Sequence, residues 1–351
     1  MNILLAGNWN SEIHEQPLKK SFEELGCQVS SFKWFKYFKS KNFYYSKILQ
    51  IQRRFFYSPI VRKINNDFLL QVFDEQPDVI FLYRSNLILE KTIKKIKLKQ
   101  KNIKIIIYNN DSPFSKKYKP SYWKNFIKLI KHSDIIFSYR PSDISGYEKN
   151  GGKNIYLLLP WYIKNKNYRV ELSNDDKVNF NNDIIFIGHY EDDGRLDLFK
   201  EVIKRNFNLK IYGPEWNKII KNDNIMKKQF PVKYLSGSDY NKALSGAKIA
   251  IAIYSTLNND VYTRKCFEIP ATQTFMIAKR SFEMEKLFKE NKEVVFFDTI
   301  DELCEKLEYF LKNKKIRELI AMNGYNKVVN YKHEVKERSK YIIEIINKHK
   351  T

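Results

Sequence analysis

The sequence is poor in glycine and nearly without cysteine, and each shortage removes a class of protein. Its 351 residues include 11 glycines, none of them arranged as G-x-G-x-x-G or G-x-x-x-x-G-K-S/T. A dinucleotide fingerprint and the phosphate loop of an NTPase are therefore both missing. Cys27, Cys266 and Cys304 are scattered and odd in number, which excludes a zinc pattern or a disulfide framework and leads us to expect a reducing, cytoplasmic setting. No apolar run reaches the roughly 18 residues that a membrane-spanning helix needs. The opening run, residues 1–7, has no basic flank and is too short for a secretion signal, so it reads as a buried strand. Acidic residues are absent from residues 26–66.

What the chain has in excess is positive charge. Lysine and arginine total 63 against 40 acids, a formal net charge of +23. In the acid-free stretch Lys33, Lys36, Lys39, Lys41, Lys47, Arg53, Arg54, Arg62 and Lys63 alternate with Phe32, Trp34, Phe35, Tyr37, Phe38, Phe43, Tyr44, Tyr45, Phe55, Phe56 and Tyr57. Cations interleaved with rings suit the face of an anionic bilayer. A general Lys, Asn and Ile bias, with several rings in the core, explains the same pattern equally well. Nucleic acid would use it through phosphate contacts and stacking. That reading ranks below the other two, because no recognised nucleic-acid module accompanies the segment.

Short apolar runs alternate with amphipathic stretches from end to end. Strands are expected over 3–7, 28–32, 79–83, 103–109, 135–139 and 155–158, with helices over 16–25, 64–75, 90–100 and 122–131. The pattern resumes with strands near 184–187, 208–212, 248–253, 274–277 and 294–297 and ends in a helix over 331–348. Such alternation predicts an α/β chain with parallel sheets covered by helices. Residues 166–182, polar and without periodicity, read as a linker between a domain over 1–165 and one over 183–330, with 331–351 as a separate last element. In 282–338 the chain reads as a strand, a cap at Thr299 or Asp301, a helix to about Leu311, and a second helix stopped by Asn323-Gly324.

The chemistry concentrates in residues 260–277, D-V-Y-T-R-K-C-F-E-I-P-A-T-Q-T-F-M-I, where Asp260 stands eight residues before Glu268. Thr263 reads as a helix cap, and a helix from Arg264 through Ala271 would offer free N–H groups to a diphosphate. Arg264 and Glu268 share one face of that helix: a cation for phosphates and a carboxylate for vicinal hydroxyls.

On these residues the chain resembles the group 1, family four-like glycosyltransferases of GT-B fold, most of all their CgeB-like, spore-maturation branch. The likeness also rests on Ile184-Ile185-Phe186-Ile187-Gly188, on Ile211-Tyr212-Gly213-Pro214 with Trp216, on the run from Tyr240 to Ile253, and on His333 and Arg338. It implies two Rossmann-like domains facing each other across a cleft, with the last helix crossing back to the first. A nucleotide-sugar is the substrate and no cofactor is needed. Glu268 would hold the ribose hydroxyls and Asp260, catalytic with Arg264, would touch the transferred sugar. The Gly188 turn, Arg195, Thr263 and Arg264 would hold the diphosphate, Tyr212 and Gly213 the nucleoside, and residues 230–235 the base. Arg195 reads equally as an unpaired surface residue, and Tyr212-Gly213-Pro214 as a packed strand end. The sequence departs from the pattern in having Asp at 260 where the family has Glu, and Ala271-Thr272-Gln273-Thr274 where it has a glycine.

Glu191, Asp192 and Asp193 only loosely match a metal-binding acidic motif and read as a solvated loop beside an incidental His189, so no metal is expected. On the acceptor side the candidates are Asn8, Arg84 and Asp111, the last a possible base or a cap of the turn before Pro113. The expected activity is a metal-independent, retaining transfer of a hexosyl group from a nucleoside-diphosphate donor to a glycan or glycolipid acceptor in cell-surface polysaccharide or glycoconjugate synthesis. The setting expected is cytoplasmic and peripheral on the membrane. The alternatives are a sugar-nucleotide epimerase of the same fold and a basic, non-catalytic module binding nucleic acid or membrane.

Overall fold

The computed structural model describes residues 1–39, 43–53 and 58–349. Its chain divides into two compact units, Met1–Leu159 with Val335–Thr351, and Pro160–Glu334.

Unit 1 carries the strands β1 (Asn2–Gly7), β2 (Gln28–Lys33), β3 (Val79–Tyr83), β4 (Lys104–Asn109), β5 (Ile135–Ser138) and β6 (Ile155–Leu157). Its helices are α1 (Glu15–Glu24), α2 (Phe43–Arg53), α3 (Pro59–Glu75), α4 (Glu90–Lys99), α5 (Lys124–Ile130) and α6 (Ile144–Lys149). All strand pairs are parallel, in the order β2-β1-β3-β4-β5-β6. Runs such as Val-Ile-Phe-Leu-Tyr in β3 are buried at every position, as expected where both faces of a parallel sheet are covered.

Unit 2 holds α7 (Asn174–Phe180), β7 (Asn182–Ile187), α8 (Arg195–Lys204), β8 (Leu209–Tyr212), α9 (Trp216–Ile220), α10 (Ser238–Gly246), β9 (Ala247–Ala252), α11 (Lys265–Ala271), β10 (Phe275–Lys279), α12 (Phe282–Leu287), β11 (Val295–Phe297), α13 (Ile300–Lys312) and α14 (Lys314–Asn330). Its parallel sheet runs β11-β10-β9-β7-β8. The last helix, α15 (Val335–Lys348), belongs to unit 1. There Lys336 Nζ reaches Glu24 Oε2 at 3.1 Å, and the Tyr156 hydroxyl meets His349 Nε2 at 2.8 Å.

Two readings of the sequence are corrected here, and the expectation that several rings of the basic stretch are core holds. The aperiodic stretch expected as linker contains α7, begun by a capping box in which Ser173 Oγ accepts the Asp176 N–H at 3.1 Å. The polar run is thus a helix start. Asn323-Gly324 does not stop a helix, because α14 continues to Asn330. A Cβ on Gly324 would lie 2.6 Å from the Glu293 carbonyl oxygen, so glycine is present for close packing. The basic aromatic stretch is partly core, since Phe32, Trp34, Phe38 and Leu49 are buried within unit 1. Lys33, Lys36 and Lys39 stand over the rings of Trp9, Tyr37 and Phe35. Lys41, Arg54, Phe55, Phe56 and Tyr57 lie outside the described residues.

Candidate active site

In a doubly wound sheet the ligand crevice opens where successive crossovers diverge, at the carboxyl ends of the strands. In unit 2 that point lies between β7 and β9, with β8 beyond β7. The turns leaving β7 and β9 are fastened together there. Glu191 Oε2 accepts from Ser255 Oγ at 3.0 Å and from the N–H groups of Thr256 and Leu257 at 3.1 and 3.3 Å. Arg195, 4% exposed, gives Nε and Nη2 to the two oxygens of Asp193 at 2.7 and 2.6 Å, and Nη1 to the His189 carbonyl at 2.5 Å. The expectation of a solvated acidic loop is therefore corrected: Glu191 and Asp193 hold the walls of the crevice in place. Arg195 is not an unpaired surface residue, because Asp193 takes its fork in a bidentate pair. His189 stays at the rim, its Nδ1 3.8 Å from Glu215 Oε2.

The glycine turns are also used internally. Gly213, at φ +133°, would carry a Cβ 2.1 Å from the Gly188 carbonyl oxygen. That oxygen accepts the Trp216 indole N–H at 2.9 Å, and the Gly188 N–H donates to Tyr212 at 2.9 Å. The close backbone approach expected between Gly188 and a phosphate is thus an approach of Gly188 to Gly213. Tyr212 is 3% exposed, which places it as a packed strand end. Beside it, residues 230–235 present Phe230 and Tyr234, 46% and 71% exposed.

The residues from 260 onward form a charged centre. Arg264 and Glu268 do not stand apart as separate cation and acceptor. Arg264 Nε donates to Glu268 Oε1 at 2.8 Å, its Nη2 contacts the same oxygen, and the Tyr240 hydroxyl donates to Oε2 at 2.6 Å. Glu268 is 6% exposed. Burial alone would raise its carboxyl, but Arg264, the Tyr240 hydroxyl and Lys265 outweigh that and hold it below the ordinary range. Lys265 is pushed the other way: burial lowers its ammonium, with Arg264 and Arg195 adding to the effect against the pull of Glu268. Burial first, and then Glu268, drive the Tyr240 hydroxyl far above its ordinary value. Thr263 does not cap the helix. The cap position of α11 is Arg264, without a side-chain cap bond, and Thr263 contributes its carbonyl to the Cys266 N–H at 3.0 Å. Asp260 donates its N–H to the Ser255 carbonyl at 2.8 Å, which sets it at the end of the loop that Glu191 holds. In the turn after α11, Gln273 takes φ +56°, so the left-handed position exists here without glycine.

Unit 1 has its own convergence at the equivalent edge, between β1 and β3. Arg84, at φ +52°, forms an ion pair with Asp111. Its N–H donates to the Tyr108 carbonyl at 2.8 Å, and its guanidinium lies 5.9 Å from the Trp123 ring centre. Asp111 also receives help from Asn109, whose Oδ1 accepts its N–H at 3.2 Å. Asn8 sits where β1 ends, next to a residue that sequence reasoning missed. Glu15, the first residue of α1, is 2% exposed and accepts the Trp9 N–H at 3.1 Å. Burial raises its carboxyl above the ordinary range despite backbone N–H groups and nearby Arg84. A side chain at Gly7 would stand 2.3 Å from Glu15 Oε1, so that glycine is required by the carboxylate above it.

Comparison with known proteins agrees with this layout. Residues 195–344 match the family described as glycosyl transferase-like. The spore protein CgeB of Bacillus subtilis (strain 168) is 20% identical over 256 residues, 66% of this chain and 72% of that protein. Among solved structures, HepE of Anabaena in complex with UDP and glucose aligns at a TM-score of 0.68 with 10% identity, over 99% of this chain and 100% of that one. The chain has the GT-B fold. Sucrose-phosphate synthase of Thermosynechococcus elongatus has the same fold at a TM-score of 0.74 with 9% identity, over 99% of this chain and 98% of that one. In this GT-B chain the matched family segment begins at Arg195, the residue that ties the two turns of unit 2 together.

Tyr240, Lys265 and Glu15 join these two clusters and were not singled out from the sequence. Lys265 sits inside the Arg264–Glu268 motif and could have been named from adjacency alone. Tyr240 lies 28 residues from Glu268, and Glu15 lies one strand away from Arg84, so only the assembled sheet edges reveal them.

Proposed function

We propose that this chain transfers a hexosyl group from a nucleoside-diphosphate donor, held by unit 2, to a glycan or glycolipid acceptor held by unit 1. The observation that carries the reading is the Arg264–Glu268–Tyr240 group, its carboxylate buried, with Lys265 next to it in the chain, at the carboxyl edge of the unit 2 sheet. A carboxylate has about four acceptor directions. Arg264 gives two contacts to one oxygen and the Tyr240 hydroxyl one to the other, so one acceptor direction remains for a ribose hydroxyl. Phe230 and Tyr234 offer rings for the base. Arg264 and Lys265 stand where negative charge grows on the leaving diphosphate, a role that fixed cations fill without a metal. Lys265 replaces Arg195 in the diphosphate assignment, since Arg195 is held by Asp193. Asp260 is assigned to the transferred sugar. The reaction is assigned as retaining: the donor phosphate takes the proton, and no protein base is required.

A donor panel tests this. Nucleotide release that depends on added acceptor, insensitivity to chelator, and a product with the donor's anomeric configuration by NMR are the expected results. Release without acceptor, accompanied by an epimerised sugar, would instead point to the isomerising alternative.

The same reading places the protein in the cytoplasm, peripheral on an anionic membrane face. No helix among the described residues is long and apolar enough to cross a membrane. Support comes from α2, where Tyr44, Ile48 and Ile51 are exposed at helical spacing beside Lys47. Converting Lys33, Lys36, Lys39 and Lys41 to glutamate is expected to abolish sedimentation with anionic liposomes and to leave donor hydrolysis intact. Each such cation contributes about 1 kcal/mol near the surface. Binding that survives both the reversal and high salt would remove the electrostatic part of the proposal.

A further inference from the structure

The Arg264–Glu268 group lies at the carboxyl edge of the unit 2 sheet, and the opposite edge of the same sheet has a cavity of its own. About 290 Å³ in volume, it opens where β9 and β10 begin. Gln273, in the turn before β10, lines it together with Lys314, Arg317 and Glu318, which share one face of α14. Arg169 and Lys248, both exposed, add to the lining. Every one of these residues belongs to unit 2.

Arg317 is the unusual member. It is 7% exposed, yet among the described residues no carboxylate comes within ion-pair distance of it. Its Nη1 donates to the carbonyls of Phe310 and, at 3.2 Å, of Leu311 at the end of α13, whereas Nε and Nη2 have no partner among the described residues. The other buried arginines of this sheet, Arg195 and Arg264, each hold a carboxylate. A buried charge without one is costly. Burial accordingly lowers the Arg317 guanidinium, against the distant pull of Glu318 and Asp183.

The surroundings do not supply the missing charge. Lys248 is committed to Asp183 at 2.6 Å, and Arg169 Nη1 reaches only the Gln273 carbonyl, at 3.5 Å. Glu318 is shared with the exposed Lys314 at 3.7 Å, a contact of little worth. Four cations thus meet two carboxylates. The first turn of α14 also has no acid and no side-chain cap, although a helix start favours negative charge. Two unspent guanidinium donors beside a positive excess of this size match a tetrahedral dianion, and a phosphate monoester carries about −1.5 to −2 near neutral pH. The volume is at the bottom of the range for ligand sites, about 300–1,000 Å³, which suits a small body on that phosphate.

We propose that this cavity is a second ligand site of the protein, one that takes a phosphate group on the sheet edge opposite the donor site. The site stands whether or not the transferase reading holds. A free phosphate ion and a small phosphate ester share this chemistry.

The test is calorimetric titration of the full chain, with and without UDP, using inorganic phosphate, glycerol 3-phosphate, glycerol and acetate. Binding of a phosphate species is expected in both cases. A tighter glycerol 3-phosphate assigns an ester and equal affinities assign the phosphate alone, and either result supports the proposal. Arg169→Glu combined with Lys314→Glu, two exposed positions, should weaken phosphate binding by at least about 10-fold and leave UDP affinity and Tm unchanged. Arg317→Gln should weaken it as much; if that variant fails to fold, the exposed pair decides. The proposal is overturned if neither phosphate species binds, if UDP displaces them, if acetate binds as well, or if the double variant keeps full affinity. Absence of UDP binding, with phosphate binding present and lost in the double variant, would remove the transferase reading and leave the phosphate site standing.

Discussion

Arg264→Ala is expected to lower turnover by about 10²- to 10³-fold, the usual effect of removing one fixed group that stabilises developing charge. The substitution also strands Glu268, which is 6% exposed and has Arg264 as its ion-pair partner. Breaking a buried pair from one side costs about 3–5 kcal/mol, so folding and turnover must be read separately. Turnover measured well below the melting temperature, together with nucleoside affinity, separates them. A catalytic part predicts that kcat falls much further than affinity for the nucleoside, since the charge on the diphosphate grows only in the transition state. Equal losses of both would make Arg264 a support for Glu268 and nothing more. The companion substitution, Glu268→Ala, should weaken nucleotide and donor alike, by about 1.5–3 kcal/mol for a charge-assisted bond to the ribose.

The same pair fixes a pH dependence. The Glu268 carboxyl is held below its unfolded value of 4.5. Its stabilising contribution is therefore complete above that pH and is lost as pH falls through the depressed folded value. Arg264→Ala should remove this part of the acid sensitivity.

Gly213→Ala is expected to have the largest effect on stability of any methyl-sized change in unit 2. The added carbon would stand 2.1 Å from the Gly188 carbonyl oxygen, in a backbone at φ +133°. That oxygen cannot retreat cheaply, because it accepts the Trp216 indole N–H at 2.9 Å, and the Gly188 N–H is tied to Tyr212. Overpacking of this kind costs about 1–3 kcal/mol and backbone strain a further 1–3 kcal/mol. For a unit of this size the loss corresponds to a fall in Tm on the order of 10 °C. Calorimetry of the variant decides it: an unchanged Tm would mean that the two turns can separate and that the site wall is not rigid. Gly194→Ala is the control, since a Cβ there meets nothing within 4 Å, although its φ of +89° still exacts some strain.

Much of the architecture was legible because it is local. Buried parallel strands such as β3 and β4 are short apolar runs, and their positions follow from the run itself. The caps at Ser173 and Thr299 are equally local, yet only the second was foreseen, as a cap at Thr299 or Asp301. Thr299 precedes an amphipathic helix, whereas α7 buries none of its residues and so carries no apolar period. The spacing of Arg264 and Glu268 fixed their meeting, since four residues on a helix bring two side chains to one face.

What the sequence could not determine was which partner each charge would take. Arg195 stands two residues from Asp193 and looked free for a ligand; the turn that Gly194 makes at φ +89° brings the two into a bidentate pair. Glu191 faces Ser255 across 64 residues, and Tyr240 reaches Glu268 across 28. In unit 1 the ion pair of Arg84 with Asp111 exists only where the ends of β3 and β4 lie side by side. By itself the sequence determined the alternating α/β order, the two sheets and the shared helical face of Arg264 and Glu268, because these depend on contacts within a turn or a strand. The tertiary structure alone decided which charges are spent on the protein and which remain for a ligand, because that depends on strand order, and strand order joins residues that the chain keeps far apart.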